Sequence, residues 1–183
     1  FDGDVKKLQL TVNSLQKQHY ANWNAIVLST SSQTSTSSEI NYYSNIHKFS
    51  FISDGKKLTN QITNSKSDLF SILKAGDILN DFSLSKSISH LNNTNSDIVY
   101  SDHDVIKDSQ RTYPFFKPDW SPYLFRSMDF LSPFCIIKSK IFKKIQLETK
   151  LLDCIQYDVL LKCVEITNKI SHIALPLCST QIG

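Results

Sequence analysis

Four places in the chain hold side chains that could do chemistry. Residues 97–104 read D-I-V-Y-S-D-H-D, a short apolar run closed by Asp102 and Asp104. Positions two apart on a strand face the same way, so an extended run here sets both carboxylates on one side of a strand end. A second group, Lys117, Asp119 and Trp120, lies in the proline- and aromatic-rich stretch P-F-F-K-P-D-W-S-P (114–122). The third is the turn L-K-A-G-D-I-L (73–79), with Lys74 and Asp77, and the fourth is Asp158 in Y-D-V-L-L-K (157–162). Phosphate-cradling chemistry of the common kinds is excluded. Glycines occur only at 3, 55, 76 and 183, so neither a dinucleotide fingerprint nor a P-loop can form, and there is no G-x-S-x-G elbow. Acid-centred chemistry is what these residues point to.

Each residue also has a plainer reading. Asp102 and Asp104 could cap the turn after their strand, with His103 between them pointing the other way into solvent. Lys117 and Asp119 could form a local ion pair, worth little if exposed. Trp120 suits a core as well as a sugar-stacking face, His172 reads as a satisfied core histidine, and Asp158 could be a solvent-side residue. A substitution separates the readings for the acid pair: Asp102→Asn should weaken ligand binding at little cost in stability if the pair faces a ligand, and should cost stability if it holds the turn.

The elements that must position these groups alternate along the chain. Spacing predicts a helix from Val5 to Lys17 capped by Asp4, then a short buried strand at Ala25 to Leu28. Ser29 to Ser38 is almost entirely Ser, Thr and Gln and reads as a loop. A strand at Lys48 to Ile52 precedes a weak helix through Leu58 and Ile62, capped by Asp54. A third apolar run, Leu69 to Leu73, turns at 74–77 into a helix carrying Leu79, Phe82, Ile88 and Leu91. The strand at Asp97 to Ser101 leads into an irregular segment, Arg111 to Trp120. Ser121 and Pro122 then suit the N-cap and first position of a helix through Met128. Phe134 to Ile137 reads as a strand, Leu151 to Thr167 as an amphipathic helix, and Ile170 to Leu177 as a last strand. Such alternation predicts an open α/β sheet with helices on its faces, and ligands beyond the carboxyl ends of its strands.

Composition agrees with one soluble domain. The chain has 183 residues, 40% of them hydrophobic and 20% charged, with a net charge of +3. That mild charge argues against a nucleic-acid partner, and the one basic cluster, Lys138, Lys140, Lys143 and Lys144, reads as a solvated face. Cysteines 135, 154, 163 and 178 lack zinc-site spacing and sit in apolar contexts, so all are expected to be buried thiols. No apolar run is long enough to span a membrane, and the start F-D-G-D is unlike a signal peptide. A cytoplasmic protein, peripheral at the inner membrane face, is the expectation.

Six blocks taken together resemble a known family. They are S-L-Q-K-Q-H-Y-A-N-W-N-A-I-V-L (14–28), L-K-A-G-D-I-L (73–79), D-I-V-Y-S-D-H-D (97–104), P-F-F-K-P-D-W-S-P-Y-L (114–124), Y-D-V-L-L-K (157–162) and I-S-H-I-A-L-P-L (170–177). In this order they are similar to glycosyltransferase family 2, in its O-antigen and rhamnosyltransferase-like bacterial branch. The resemblance implies a GT-A fold: an open mixed α/β sheet flanked by helices, which binds a nucleotide-sugar donor and passes its sugar to a glycan or lipid-linked acceptor. It implies Mg²⁺ or Mn²⁺ beside the diphosphate, with Asp77, Asp102 and Asp104 as ligands, and contacts to donor or acceptor from Lys74, Lys117, Asp119 and Trp120. Asp158 is then the base or an orienting residue.

The chain departs from that pattern at four points. The family's metal-binding D-x-D acids fall at Lys74 and Gly76, its base at Gln156, and the histidine of its last strand at Ser179. The apolar strand that normally opens the domain is absent before the first helix, so either residues 1–183 are a single GT-A-like domain excised from a longer chain or the nucleotide pocket is incomplete. Two expectations follow. One is an active transferase. The other is a catalytically degenerate GT-A module that binds glycan or the other domains of a larger transferase.

Overall fold

The computed structural model describes residues 4–28, 48–52, 55–147 and 154–181. Helix α1 (Val5–Gln16) starts where Asp4 accepts the backbone N–H groups of Lys6 and Lys7 at 3.0 and 3.2 Å. Its buried stripe mixes Leu8 and Val12 with Thr11 and Ser14. The two hydroxyls have backbone partners across the interface: Thr11 Oγ1 accepts Gly76 N–H and Ser14 Oγ accepts Leu79 N–H. Gln18 continues this seam, donating to the Asn80 carbonyl and accepting Leu84 N–H.

Strand β1 (Ala25–Leu28) pairs in parallel with β2 (Phe49–Ile52), and α2 (Gly55–Asn64) buries Leu58 and Ile62 one turn apart. Asp54 and the Ser/Thr-rich loop lie outside the described residues. The larger sheet runs in the order β3 (Leu69–Phe70), β7 (Cys135–Lys138), β5 (Ile98–Lys107), β8 (Ile170–Gln181), β4 (Ile78–Leu79), with β6 (Gln110–Phe115) also on β5. Strands β3, β5 and β8 point one way, and β7 and β4 the other.

Alternation along β5 divides the core. Ile98 and Tyr100 face one layer with Phe125, Phe130, Val159, Leu160 and Cys163, which belong to α4 (Pro122–Ser127), the loop after it and α6 (Ile155–Val164). Val99 faces the other, with Leu84 and Leu91 of α3 (Ser83–Asn93). The short α5 (Ser139–Phe142) closes the first layer, stacking Phe142 on Phe70 at 4.6 Å. As expected, Ser121 Oγ accepts Leu124 N–H and Pro122 opens α4.

Several elements differ from expectation. Leu79 is in a strand instead of the following helix, because Ile78 and Leu79 pair with Ser179 and Cys178 of β8. Strand β5 continues past Ser101 and returns as β6 through Asp108 and Ser109, both with positive φ (50° and 63°). This matches the twist of a two-residue hairpin turn, which usually announces itself by Asn-Gly or Asp-Gly. Pro114 is tolerated because β6 is an edge strand. Cys154 is exposed, while Cys135, Cys163 and Cys178 are buried. Lys138 and Lys140 are not merely solvated; their ammonium groups lie 3.6 and 2.7 Å from buried Asp97.

A cleft of about 1940 Å³ runs between the sheets, lined by Ala25–Leu28 on one wall and by Leu69–Ile72 on the other. Among the described residues β1 is paired only with β2.

Candidate functional site

The side chains singled out above fall into three groups. The first sits on the α6 face of the sheet, where Cys135, Tyr100 and His172 are neighbours across β7, β5 and β8. The Tyr100 ring stacks on His172 at 4.8 Å, and its hydroxyl donates to the Pro118 carbonyl at 2.6 Å. Asp102, 1% exposed, accepts Lys117 N–H at 2.9 Å with the same oxygen that lies 2.7 Å from His172 Nε2. Asp119 is fully exposed, 3.6 Å from the other ring nitrogen of His172. Lys117 and Asp119 therefore do not pair with each other. The Lys117 ammonium is buried, donates to the carbonyls of Leu131 and Ser132, and burial pulls its pKa down to about 8. Trp120 is half-buried against Phe125 and Phe130.

His103 is not solvated either. It is half-buried against Phe115, its Nδ1 has no hydrogen-bond partner, and burial above all lowers its pKa to about 4.

The second group gathers round Asp104. One carboxylate oxygen meets Arg111 Nε at 2.6 Å and the other accepts the Ser179 hydroxyl at 2.5 Å. Arg111 also donates to Asn80 Oδ1 and the Pro176 carbonyl, tying the hairpin to β8 and to the end of β4. Asp102 and Asp104 thus share no partner, although the strand pattern predicted a common side. Register shifts against β8 on both sides of Asp102, and against β6 beyond His103, re-aim the two carboxylates.

The third group is the turn after β3. Asp77 is 5% exposed and accepts Lys74 N–H at 2.7 Å, while the Lys74 side chain is exposed. Gly76 has φ of 104°, favouring glycine, and its N–H is held by Thr11. Burial pushes the Asp77 pKa up to about 6. The folded state therefore binds protons more tightly than the unfolded chain, and stability falls as pH rises from about 4 to about 6. Asp77→Asn keeps an acceptor for Lys74 N–H without the buried charge, so it should gain about 2 kcal/mol at pH 7.5 and nothing near pH 4. Urea melts at the two pH values measure this, and equal stabilities at pH 7.5 would refute it.

Two residues of α6 complete the picture. Asp158 pairs with Lys162 one turn on at 2.6 Å, partly exposed. Gln156, 3% exposed, spends both amide hydrogens on the carbonyls of Ile72 and Pro133, at 2.9 and 2.5 Å.

Mg²⁺ and Mn²⁺ favour several oxygen ligands converging on one point. Asp77, Asp102 and Asp104 belong to separate partner sets, and among the described residues no three His, Cys, Asp or Glu side chains are grouped to hold a metal ion. The expected ligand set does not fit a cation here.

Known proteins give the architecture a context. The chain superposes over 99% of its length on S. aureus TarS 1-349 with a TM-score of 0.76 at 16% identity, covering 58% of that structure. The fold is of the GT-A type. The complex of TarS 1-349 with UDP-GlcNAc gives a TM-score of 0.77, with 100% of this chain and 56% of that one covered at 16% identity. The mannosyltransferase PcManGT from Pyrobaculum calidifontis, in complex with GDP-Man and Mn²⁺, gives 0.64 at 10% identity, with 100% and 54% covered. In sequence, 122 residues, 64% of the chain, are 32% identical to the O-antigen biosynthesis protein RfbC of Myxococcus xanthus. The chain spans only 10% of that relative. No family model matches.

Arg111 and His172 were not legible as site residues. Arg111 acquires its role from the hairpin, and His172 from standing beside Tyr100 across two strands distant in sequence. Ser179 and Gln156 stood out only as departures from the family pattern.

Proposed function

We propose that this domain belongs to a glycosyltransferase of surface-glycan synthesis, which takes a nucleotide-sugar donor and passes the sugar to a glycan or lipid-linked acceptor. The observation that carries this reading is the 32% identity to an O-antigen biosynthesis protein, and the GT-A type fold is in keeping with it. Similar folds hold UDP-GlcNAc in TarS and GDP-Man in PcManGT, which supports a donor of that class. In the reaction an acceptor oxygen bonds to the anomeric carbon, the bond from that carbon to the diphosphate breaks, and the nucleoside diphosphate leaves with the electron pair. Residues 1–183 act as one domain beside the others of a larger transferase, at the cytoplasmic face of the membrane. No described helix is long and apolar enough to cross a membrane.

A specific observation favours a second reading, the degenerate module that binds glycan or a partner domain. Gln156 is an amide locked to two carbonyls and Asp158 is tied to Lys162, so neither is poised to take the acceptor's proton.

The full-length chain incubated with UDP-GlcNAc or GDP-Man and a lipid-linked glycan should release nucleoside diphosphate in an acceptor-dependent way. Absence of release with both donors, alongside retained binding to the glycan, would overturn the transferase reading and support the module.

A further inference from the structure

Six of the nine large hydrophobic side chains that stand exposed among the described residues fall between positions 113 and 128: Tyr113, Phe115, Phe116, Tyr123, Leu124 and Met128. They come from β6, the residue after it and α4, and both pieces are fastened over the same stretch of β5. Asp102 accepts Lys117 N–H and the Tyr100 hydroxyl donates to the Pro118 carbonyl, while Phe125 of α4 packs on Phe130, which packs on Tyr100. Lys117 and Phe125 are thus turned to the core, and their neighbours Phe116 and Tyr123 are left 71% and 82% exposed. Tyr113 adds a backbone outlier: its φ is 48°, where the other non-glycine residues of positive φ are the small Asn95, Asp108 and Ser109. Its ring is exposed, so burial within this chain does little to offset that strain.

Single exposed apolar residues are ordinary on a protein surface, but a run this dense marks a place where something binds. At about 200 Å² for a whole aromatic side chain, the exposed fractions of the six leave roughly 600–700 Å² open. That is close to the roughly 800 Å² each partner gives to a standard protein interface. The residue types agree: Tyr, Phe, Met and Arg are enriched at such interfaces, and the one lysine of the stretch, Lys117, is buried. A lipid surface would call for a cluster of exposed basic side chains instead. Exposed charge here is balanced, with Arg126 on α4 against Asp119 before it and Lys107 against Asp108 at the hairpin tip, while Arg111 is taken by Asp104. Among the described residues Arg126 has no ion-pair partner.

We propose that this face binds a second copy of the chain, β6 and α4 of one packing two-fold against β6 and α4 of the other, with Arg126 of each copy opposite Asp119 of its mate. A neutral apolar face that carries one cation and one anion on separate pieces complements itself, because under two-fold symmetry whatever meets at i and j meets again at j and i. Phe116 and Tyr123, the most exposed of the six, are its anchors. The pairing also covers Asp119, and with it the His172 ring 3.6 Å away.

Sedimentation velocity of the full-length protein up to tens of micromolar should show a dimer. Phe116→Ser and Tyr123→Ser should each raise its Kd at least about tenfold, with far-UV circular dichroism unchanged. Ile166→Ser should leave it unaltered, since Ile166 is exposed beside Thr167, whose hydroxyl meets Asp97 at the opposite end of β5. Arg126→Asp and Asp119→Arg should each weaken the dimer about tenfold, and the two together should restore it, because both ends of the pair belong to the same chain. A protein that stays monomeric would overturn the proposal, whether the face is open or covered by another domain of the same polypeptide. A dimer indifferent to all four substitutions would overturn the assignment to this face. Single reversals that weaken the dimer without rescue by the double would overturn the two-fold pairing of Arg126 with Asp119.

Discussion

Asp102→Ala is expected to destabilise the protein by about 3–5 kcal/mol, the cost of leaving two buried hydrogen-bond donors without their acceptor. The carboxylate is 1% exposed and a single oxygen serves both Lys117 N–H and His172 Nε2. Its loss leaves a buried imidazole and a buried amide without their acceptor, and frees the segment that carries Pro118 and Trp120 from β5 and β8. Asp102→Asn retains an acceptor oxygen and should lose only about 1–2 kcal/mol, the difference between a charge-assisted and a neutral hydrogen bond. Asp102 lies within β5 and not at a turn after it, and the partners it holds are Lys117 N–H and His172. Denaturant melts of both variants test this. An Asp102→Ala protein as stable as the parent but unable to bind a nucleotide sugar would reverse the assignment.

Gln156→Glu should be nearly as damaging, at about 3 kcal/mol or more at pH 8. Both amide hydrogens donate to carbonyls, of Ile72 and of Pro133, so a carboxylate in their place faces two acceptors with nothing to donate. Protonation restores one donor, and the variant should therefore recover part of its stability as pH falls from 8 toward 5. Gln156→Leu, which cannot ionise, should lose stability without that pH dependence. The family pattern puts a base at this position, so the obvious experiment is to reinstate an acid and look for faster transfer. The geometry predicts a weakened fold instead, because Gln156 joins the end of β3 to the loop before β7. A Gln156→Glu protein of undiminished stability at pH 8 would mean that the side chain swings into the cleft instead.

Local chemistry written along the chain was readable from residue types alone. Asp4 announces the start of α1, Ser121 and Pro122 announce α4, the runs at 98–100 and 135–137 announce buried strands, and the run at 25–28 announces a strand of which only Val27 is buried, because caps and hydrophobic periods depend only on near neighbours in sequence. The alternation of those elements predicted the open α/β architecture. Family-level blocks narrowed it to the GT-A type, which the solved structures bear out.

The site was decided elsewhere. The β5–β6 hairpin lacks a glycine turn to signal it, and β4 exists only because β8 reaches far enough to pair with it. Asp102 and Asp104 are two apart in a strand, yet register shifts send one to Lys117 and His172 and the other to Arg111 and Ser179. Asp77 and Lys74 are three apart in one turn, yet one is folded inward and the other lines the cleft. Spacing tells which residues are near one another along the chain. Which partner each carboxylate meets depends on strand register and on the burial created by segments up to 75 residues away, as for Asp104 and Ser179. Only the tertiary structure holds that information.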